Sequence, residues 1–351
     1  MQRICSTLTA EKYMVELVGR QKSNSQTLSE QSFQQKRLSC YFQAGKLFYI
    51  EYNIRLFFYL LKNDFDTVCA IDLDTIAPVY WAAKIKSKPR CFDAHEYFEE
   101  VPEVTNRKFI KWIWTKIGEY FVPKMNLCYT VGPCLADLFE KKYGVTFHVI
   151  RNLPFTKNMK NIQLPLIAQP YLLYQGALNE GRGLEVLIES MQELPEYRLI
   201  IAGDGDLTLQ LKALVKEKEL QKRVIFLGNL LPEELDSFTS GAYVGLNLLE
   251  NNGLSYYYSL ANKFFDYVQF GVPVVTMDFP EYHALNKQHE VAVLLSVLNK
   301  ESLVEALHKM FADIAFHQTL RRNCLIASQE WIWEKEASQL VKIWNDLLRK
   351  S

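Results

Sequence analysis

The sequence predicts an α/β protein of two domains, each carrying a doubly wound parallel sheet. Three observations predict it. Short apolar runs alternate with stretches of helical apolar spacing along the whole chain. That alternation stops at residues 151–169, a stretch containing Pro154 and Pro165 with little periodicity, and starts again after Pro170. A chain of 351 residues is also longer than one core comfortably serves.

The elements follow in order. In the first half, residues 13–18 read as a strand and the polar stretch 21–37 as a long loop. Residues 47–61 have helical apolar spacing. A short strand at 67–71 leads to Asp72, Leu73 and Asp74, and a helix opening at Thr75 carries Pro78 in its first turn. Residues 90–92 form the next strand and deliver Asp93, Ala94, His95 and Glu96. A long helix covers 106–121, and short strands follow at 127–130 and 147–150. The second half repeats the pattern with strands at 171–174, 198–202, 224–227 and 244–248. Its helices are expected at 184–193, 207–219 and from Pro232. Ser259 is placed as the N-cap of a helix opening near Leu260, which ends at Gly271 before a buried strand at 272–277. The tail, 300–350, is helical, with an apolar stripe of Trp331, Trp333, Leu340, Ile343 and Trp344.

Composition narrows the class. Lys+Arg and Asp+Glu both number 40, so the formal net charge is zero and points to no nucleic-acid partner. Seven cysteines lie scattered without a C-x-x-C pair, which argues for a reducing, cytoplasmic setting and against a disulfide framework or a zinc site. The first residues lack the apolar core of a signal peptide, and the apolar run 56–61 is too short to span a bilayer. There is no Ser-His-Asp order, Walker loop or metal-ligand cluster.

The chemistry concentrates in the second half. A helix start supplies free N–H groups and a positive dipole end, which suit a phosphate. Lys263 lies in the first turn of its helix, beside Asn262, and Asp266 lies one turn on, where a carboxylate can accept from sugar hydroxyls. The stretch Ala261, Asn262, Lys263, Phe264, Phe265, Asp266, Tyr267, followed by Gly271, Val272 and Pro273, resembles the donor-binding helix of retaining glycosyltransferases of family 4. Those proteins have the two-Rossmann architecture called GT-B. Asp266 stands where the family's second Glu is found, and Tyr258 where its first Glu would be. Gly176, then Arg182 and Gly183, resemble the family's phosphate loop, with Ala177 where a second basic residue is common. Gly203, Asp204 and Gly205 resemble its glycine turn beneath the nucleotide. Residues 224–228 resemble the strand leading to the base, which places 228–231, Leu230 among them, at the base-binding loop. In the first half, His95 resembles the strand-end histidine that faces the donor sugar, with Asp93 and Glu96 positioning it or capping the next segment.

The resemblance implies a GT-B fold with the domains facing a cleft: an acceptor domain over 1–155, a nucleotide-sugar domain over 170–330, and a helix at 331–351 returning to the first domain. The family's first strand would precede the helix near Gln2, Arg3 and Ile4, so the first domain is expected to lack it. The implied reaction, in polysaccharide biosynthesis, is metal-independent transfer of a sugar, with retention, from a nucleotide-diphosphate sugar to a hydroxyl on a glycan or lipid-linked acceptor. His95, Arg182 and Lys263 would be the catalytic residues. No cofactor is implied beyond the nucleotide sugar as co-substrate. Two alternatives stay open: a non-catalytic GT-B relative that binds nucleotide or a partner, motivated by Tyr258 and the missing strand, and a sugar-nucleotide epimerase. The helix bearing Lys108, Phe109, Lys111, Trp112, Trp114, Lys116 and Phe121 adds one expectation, peripheral contact with the inner face of an anionic membrane. Its bland counterpart is a helix whose aromatics pack inward.

Overall fold

Continuous apolar runs, rather than alternating ones, are what a sheet covered on both faces requires. All residues of the strands Leu127–Thr130, Tyr171–Gln175, Val244–Asn247 and Val274–Met277 are buried. The computed structural model describes residues 1–23, 25, 27–105, 107–157, 162, 164, 165, 167 and 169–349. It divides into unit 1, Met1–Arg151 with Trp333–Ser351, and unit 2, Asn152–Ile332. Part of the stretch expected as a linker, and the Asn106 and Lys350 ends of two expected helices, lie outside the described residues.

Unit 1 runs α1 (Gln2–Ala10), β1 (Glu16–Gln21), β2 (Gln34–Ser39), α2 (Gly45–Lys62), β3 (Val68–Ile71), α3 (Ile76–Ile85), β4 (Arg90–Ala94), α4 (Pro102–Thr105), α5 (Lys108–Phe121), β5 (Leu127–Thr130), α6 (Pro133–Tyr143) and β6 (Phe147–Val149). Strands β3, β4, β5 and β6 form a parallel four-stranded sheet in sequence order. Strands β1 and β2 pair in parallel as a separate two-stranded sheet. The polar stretch 21–37 is therefore not a loop throughout. Its end, Gln34-Gln35-Lys36-Arg37, enters β2, a strand with no apolar alternation to announce it, held by backbone pairing.

Unit 2 runs β7 (Tyr171–Gln175), α7 (Leu184–Ser190), β8 (Arg198–Ala202), α8 (Thr208–Glu217), β9 (Val224–Gly228), α9 (Pro232–Gly241), β10 (Val244–Asn247), α10 (Leu254–Tyr257), α11 (Asn262–Gln269), β11 (Val274–Met277), α12 (Pro280–Gln288), β12 (Ala292–Leu295), α13 (Lys300–Ala312) and α14 (Ile314–Ala327). Its parallel sheet has the order β12-β11-β10-β7-β8-β9. Strand order thus reverses between β7 and β10, and the carboxyl ends of those two strands flank a topological switch point, where open α/β sheets bind ligands.

The last helix, α15 (Trp333–Arg349), belongs to unit 1. Its Trp333, Leu340, Ile343, Trp344 and Leu347 bury together with Ile4 and Leu8 of α1 and Leu127 and Tyr129 of β5. Trp333 Nε1 donates to Thr7 Oγ1 at 2.8 Å, and the Glu336 carboxylate accepts from Arg151 N at 3.1 Å and Arg151 Nε at 2.7 Å. Trp331 leaves the expected stripe. It packs against Phe264 and Phe265 within unit 2.

Candidate functional site

At the switch point of unit 2, backbone turns come first. The loops after β7, β8 and β9 interlock: Gly176 N donates to Ala202 O at 2.9 Å and Gly203 N to Gly228 O at 2.8 Å. Gly203 has φ +137°, and a Cβ there would meet Gly176 O at 2.0 Å, so only glycine lets these two turns touch. Gly183, in the left-handed region at φ 63°, is the N-cap residue of α7. Asp204 is exposed and serves its own turn, accepting from Gly205 N at 2.9 Å and from Thr208 Oγ1 at 2.5 Å, and these bonds hold its carboxyl below the usual range. Leu230 is half-buried and packs on the unit 2 core.

The helix that carries Asn262, Lys263 and Asp266 begins later than the sequence suggests. Residues 254–257 form their own short turn of helix, α10, and α11 starts at Asn262 with Ala261 as its N-cap. Ser259 is not the cap. Its hydroxyl donates to Tyr256 O at 2.8 Å, while Ala261 N donates to Tyr282 OH at 3.0 Å. At the other end Gly271, at φ +67°, sits just past the last turn as expected. Tyr258 closes α10 as its C-cap and stacks edge-on with Tyr257. Asn262 is exposed at the first position of α11.

Lys263 reaches back from α11 to β7. Its Nζ lies 3.8 Å from the centre of the Tyr174 ring. A Cβ on Gly176 would stand 3.3 Å from that Nζ, so the missing side chain leaves the ammonium room. Arg182 spreads over the Tyr256 ring, Cζ 5.0 Å from its centre. The Arg182 Nε is buried and has no hydrogen-bond partner. Among the described residues, neither Arg182 nor Lys263 has a hydrogen bond or an ion pair. Burial, and then the neighbouring Arg182 charge, push the Lys263 amine well below the usual lysine value. Among the described residues the two cations thus lie near each other without an ion pair, with a desolvation cost that a bound anion would offset.

Asp266 lies one turn further on and accepts from Gln175 Nε2 at 3.2 Å. Gln175 is itself fixed, since its Oε1 accepts from Thr239 Oγ1 at 2.9 Å. Sequence reasoning named both cations and Asp266 as candidates but not Tyr174, Gln175 and Tyr256, which contact them. The run Tyr256-Tyr257-Tyr258 beside a glycine was the available signal. The structure brings Gly176, Arg182, Lys263 and Asp266 to one place. Asp204 and Leu230 have local roles of their own.

His95 belongs to unit 1 and follows the carboxyl end of β4. Its backbone N–H donates to Asp72 Oδ1 at 2.8 Å, and its Nε2 lies 3.2 Å from Asp93 Oδ2. Among the described residues, no group of three or more His, Cys, Asp or Glu side chains could hold a metal ion.

Comparison with known proteins places these features. Residues 157–324 match the family model described as glycosyl transferases group 1. Sucrose-phosphate synthase from Thermosynechococcus elongatus matches with a TM-score of 0.77 at 19% identity, covering 99% of this chain and 92% of that one. WaaG, a glycosyltransferase involved in lipopolysaccharide biosynthesis, gives 0.73 at 16%, covering 97% and 94%. The fold is GT-B. HepE of Anabaena, solved in complex with UDP-glucose, shares this GT-B fold at a TM-score of 0.70 and 15% identity, over 90% of this chain and 86% of that one. In sequence, a tyrosine recombinase XerD-like protein of Streptococcus sanguinis (strain SK36) is 28% identical over 169 residues, 47% of this chain and 66% of that protein. The O-antigen biosynthesis glycosyltransferase WclY of Escherichia coli is 24% identical over 178 residues, 49% of this chain and 46% of that protein. The match thus spans less than two thirds of either sequence relative's own length.

Proposed function

We propose that this GT-B chain is a glycosyltransferase of family 4 type that moves a sugar from a nucleotide-diphosphate sugar to a hydroxyl of a glycan or lipid-linked acceptor, with retention and without a metal. The observation that carries the proposal is the pair of cations, Arg182 and Lys263, that lie at the switch point of unit 2 on tyrosine rings and, among the described residues, without an ion pair. A diphosphate leaving group gathers charge as the glycosidic bond breaks, and positive groups already desolvated and in place stabilise that charge. Arginine adds a fork that can bind two oxygens. Asp266, steadied by Gln175, would accept from ribose hydroxyls, and His95 would offer its imidazole to a hydroxyl or phosphate oxygen. Support comes from the family match over 157–324 and from HepE, a GT-B neighbour that binds UDP-glucose. The recombinase relative's name finds no physical counterpart in a chain of zero formal net charge.

Tyr258 at the position of the family's first Glu favours a second reading, a GT-B protein that binds nucleotide without turnover. The two separate in one experiment. A nucleotide-sugar panel is screened by thermal shift, and each stabilising compound is then followed by proton NMR for release of nucleoside diphosphate and for the anomeric configuration of the product. Release with retained configuration supports the transferase. Stabilisation without release supports the binder.

The acceptor side is proposed to meet an anionic membrane through unit 1. The expectation that the α5 aromatics either pack inward or face out divides in two: Trp114 and Phe121 pack against Phe98 and Tyr80, while Phe109 (65% exposed) and Trp112 (56%) stack on each other in solvent. Lys111 and Lys116 are paired with Glu100 and Glu119. Helix α2, joined to α5 by the Tyr49–Trp114 ring contact, adds Leu47, Ile50, Ile54 and Phe58, an apolar stripe 52–57% exposed. Aromatics and lysines around an exposed apolar face suit a lipid headgroup region. Among the described residues, no helix is long and apolar enough to cross a membrane.

A further inference from the structure

Around His95, unit 1 holds two carboxylates that the proposed function leaves unused. The ends of β3 and β4 are locked by three contacts. Asp72 N donates to Asp93 O at 2.9 Å. Asp72 Oδ1 accepts from His95 N at 2.8 Å. Asp93 Oδ2 stands 3.2 Å from His95 Nε2, too far out of line for a formed hydrogen bond. Asp72 holds φ +56°, the left-handed region that a non-glycine residue enters only when its surroundings compel it. The compulsion is visible, since giving up this φ would break both of its bonds at once.

Asp93 is 2% exposed, and its Oδ2 has no hydrogen-bond donor. A carboxylate oxygen that dry costs several kcal/mol, of order, unless a positive charge faces it. The basic side chain that faces it is the His95 imidazole, just past the end of β4. A neutral imidazole offers that oxygen at most a poorly aligned N–H dipole, whereas an imidazolium faces it with a full charge. We propose that Asp72 and Asp93 are positioning residues that fix His95 and keep it protonated, so that unit 1 presents a preformed cationic donor suited to a phosphate or sugar oxygen.

The neighbouring charges agree with the geometry. Burial alone would push the imidazole down, but Asp93 and then Asp72 outweigh it, and the Met1 amino group opposes them, leaving His95 above the ordinary histidine value. Burial pushes the Asp72 carboxyl up to about 7, against the pull of His95, with Glu96 and Asp93 adding to the rise. Asp93 also faces the buried Cys5 thiol of α1, which burial holds up. Asp74, raised by burial to about 6, is the next carboxyl along.

The test needs no turnover and no nucleotide, so it can fail while the donor-site reading stands. The imidazole signals of the full chain are followed by 1H–15N NMR against pH, with His95 assigned by loss of its signal in His95→Gln. Asp93→Asn should lower the His95 midpoint by about 1–3 units, the usual effect of one opposite charge within ~4–6 Å. Asp72→Asn keeps the oxygen that accepts the His95 N–H, so the fold is retained, and it should lower the midpoint by less than Asp93→Asn does, because the Asp72 carboxyl is itself pushed up to about 7. A wild-type midpoint at or below the ordinary histidine value overturns the proposal, and so does a midpoint that neither substitution moves. Movement in Asp93→Asn alone overturns the part given to Asp72. Should Asp93→Asn fail to fold, the wild-type midpoint and Asp72→Asn decide the matter.

Discussion

Replacing Lys263 by Met should make the free protein more stable and the nucleotide-bound protein less so. Met keeps the stem that lies over Tyr174 and removes the charge. Among the described residues that charge has no ion pair, and in the free protein it sits beside Arg182. Desolvation of an unpaired ammonium costs several kcal/mol, of order, and the Tyr174 ring returns about 2 of them. A net gain of about 1 kcal/mol is therefore expected on removal, a rise in Tm of about 2–4 °C for a unit of this size. With a diphosphate bound, the same ammonium makes a charge-assisted hydrogen bond whose loss costs about 1.5–3 kcal/mol, or roughly 10- to 100-fold in affinity. Differential scanning calorimetry of the free protein and titration calorimetry with a nucleoside diphosphate measure the two effects. Ala177 is exposed, so Ala177→Arg should restore part of the lost affinity. A Lys263→Met protein that melts lower and binds nucleotide as well as the parent would show the lysine to be a packing residue and refute the reasoning.

Three further outcomes are expected. The free-state pKa of Lys263 is depressed, so the charged amine weighs against stability at low pH, and this penalty fades as pH rises through that depressed value; a bound anion should pull it back up. Nucleotide binding should therefore take up protons at pH values below the ordinary lysine range, seen as a dependence of the binding heat on buffer ionisation enthalpy, and no such dependence anywhere below that range would contradict it. Asp266→Asn should cost about 1–3 kcal/mol of nucleotide affinity with little change in Tm, whereas the reverse pattern would make the Gln175 contact its whole purpose. The double substitution Phe109→Ser with Trp112→Ser should weaken co-sedimentation with anionic vesicles at least several-fold and leave nucleotide affinity alone; unchanged sedimentation removes the α5 contact.

Much of this was legible in the sequence, for a physical reason. Strands buried on both faces, such as 198–202, declare themselves as apolar runs ended by glycines, and the Pro-rich break at 151–170 marks where the alternation restarts. Strand β2 was illegible because backbone pairing with β1 holds it, and its side chains are mostly polar. The start of α11 was misplaced by two residues because Ser259 has the composition of a cap, but its hydroxyl is used inside α10. The site showed the same split. Lys263 and Asp266 could be picked out as candidates from residue type and spacing, and Arg182 from the resemblance to the family's phosphate loop. Gln175 and Tyr174 could not, because their part depends on strand-end geometry that no local pattern encodes. Asp72 was visible only as a residue after a strand; its left-handed backbone and its hold on His95 needed coordinates.

The account turns on a nucleotide-diphosphate site at the switch point of unit 2, and amide hydrogen exchange maps it most directly. The full chain is compared with and without each member of a nucleoside-diphosphate panel, alongside the double variant Arg182→Gln, Lys263→Met. For the nucleotide that binds, protection should concentrate in the loop after β7 through Gly183 and in the segment from α10 into α11, and it should vanish in the double variant. Protection elsewhere, or equal protection in the variant, would contradict the assignment of those two cations to the phosphates.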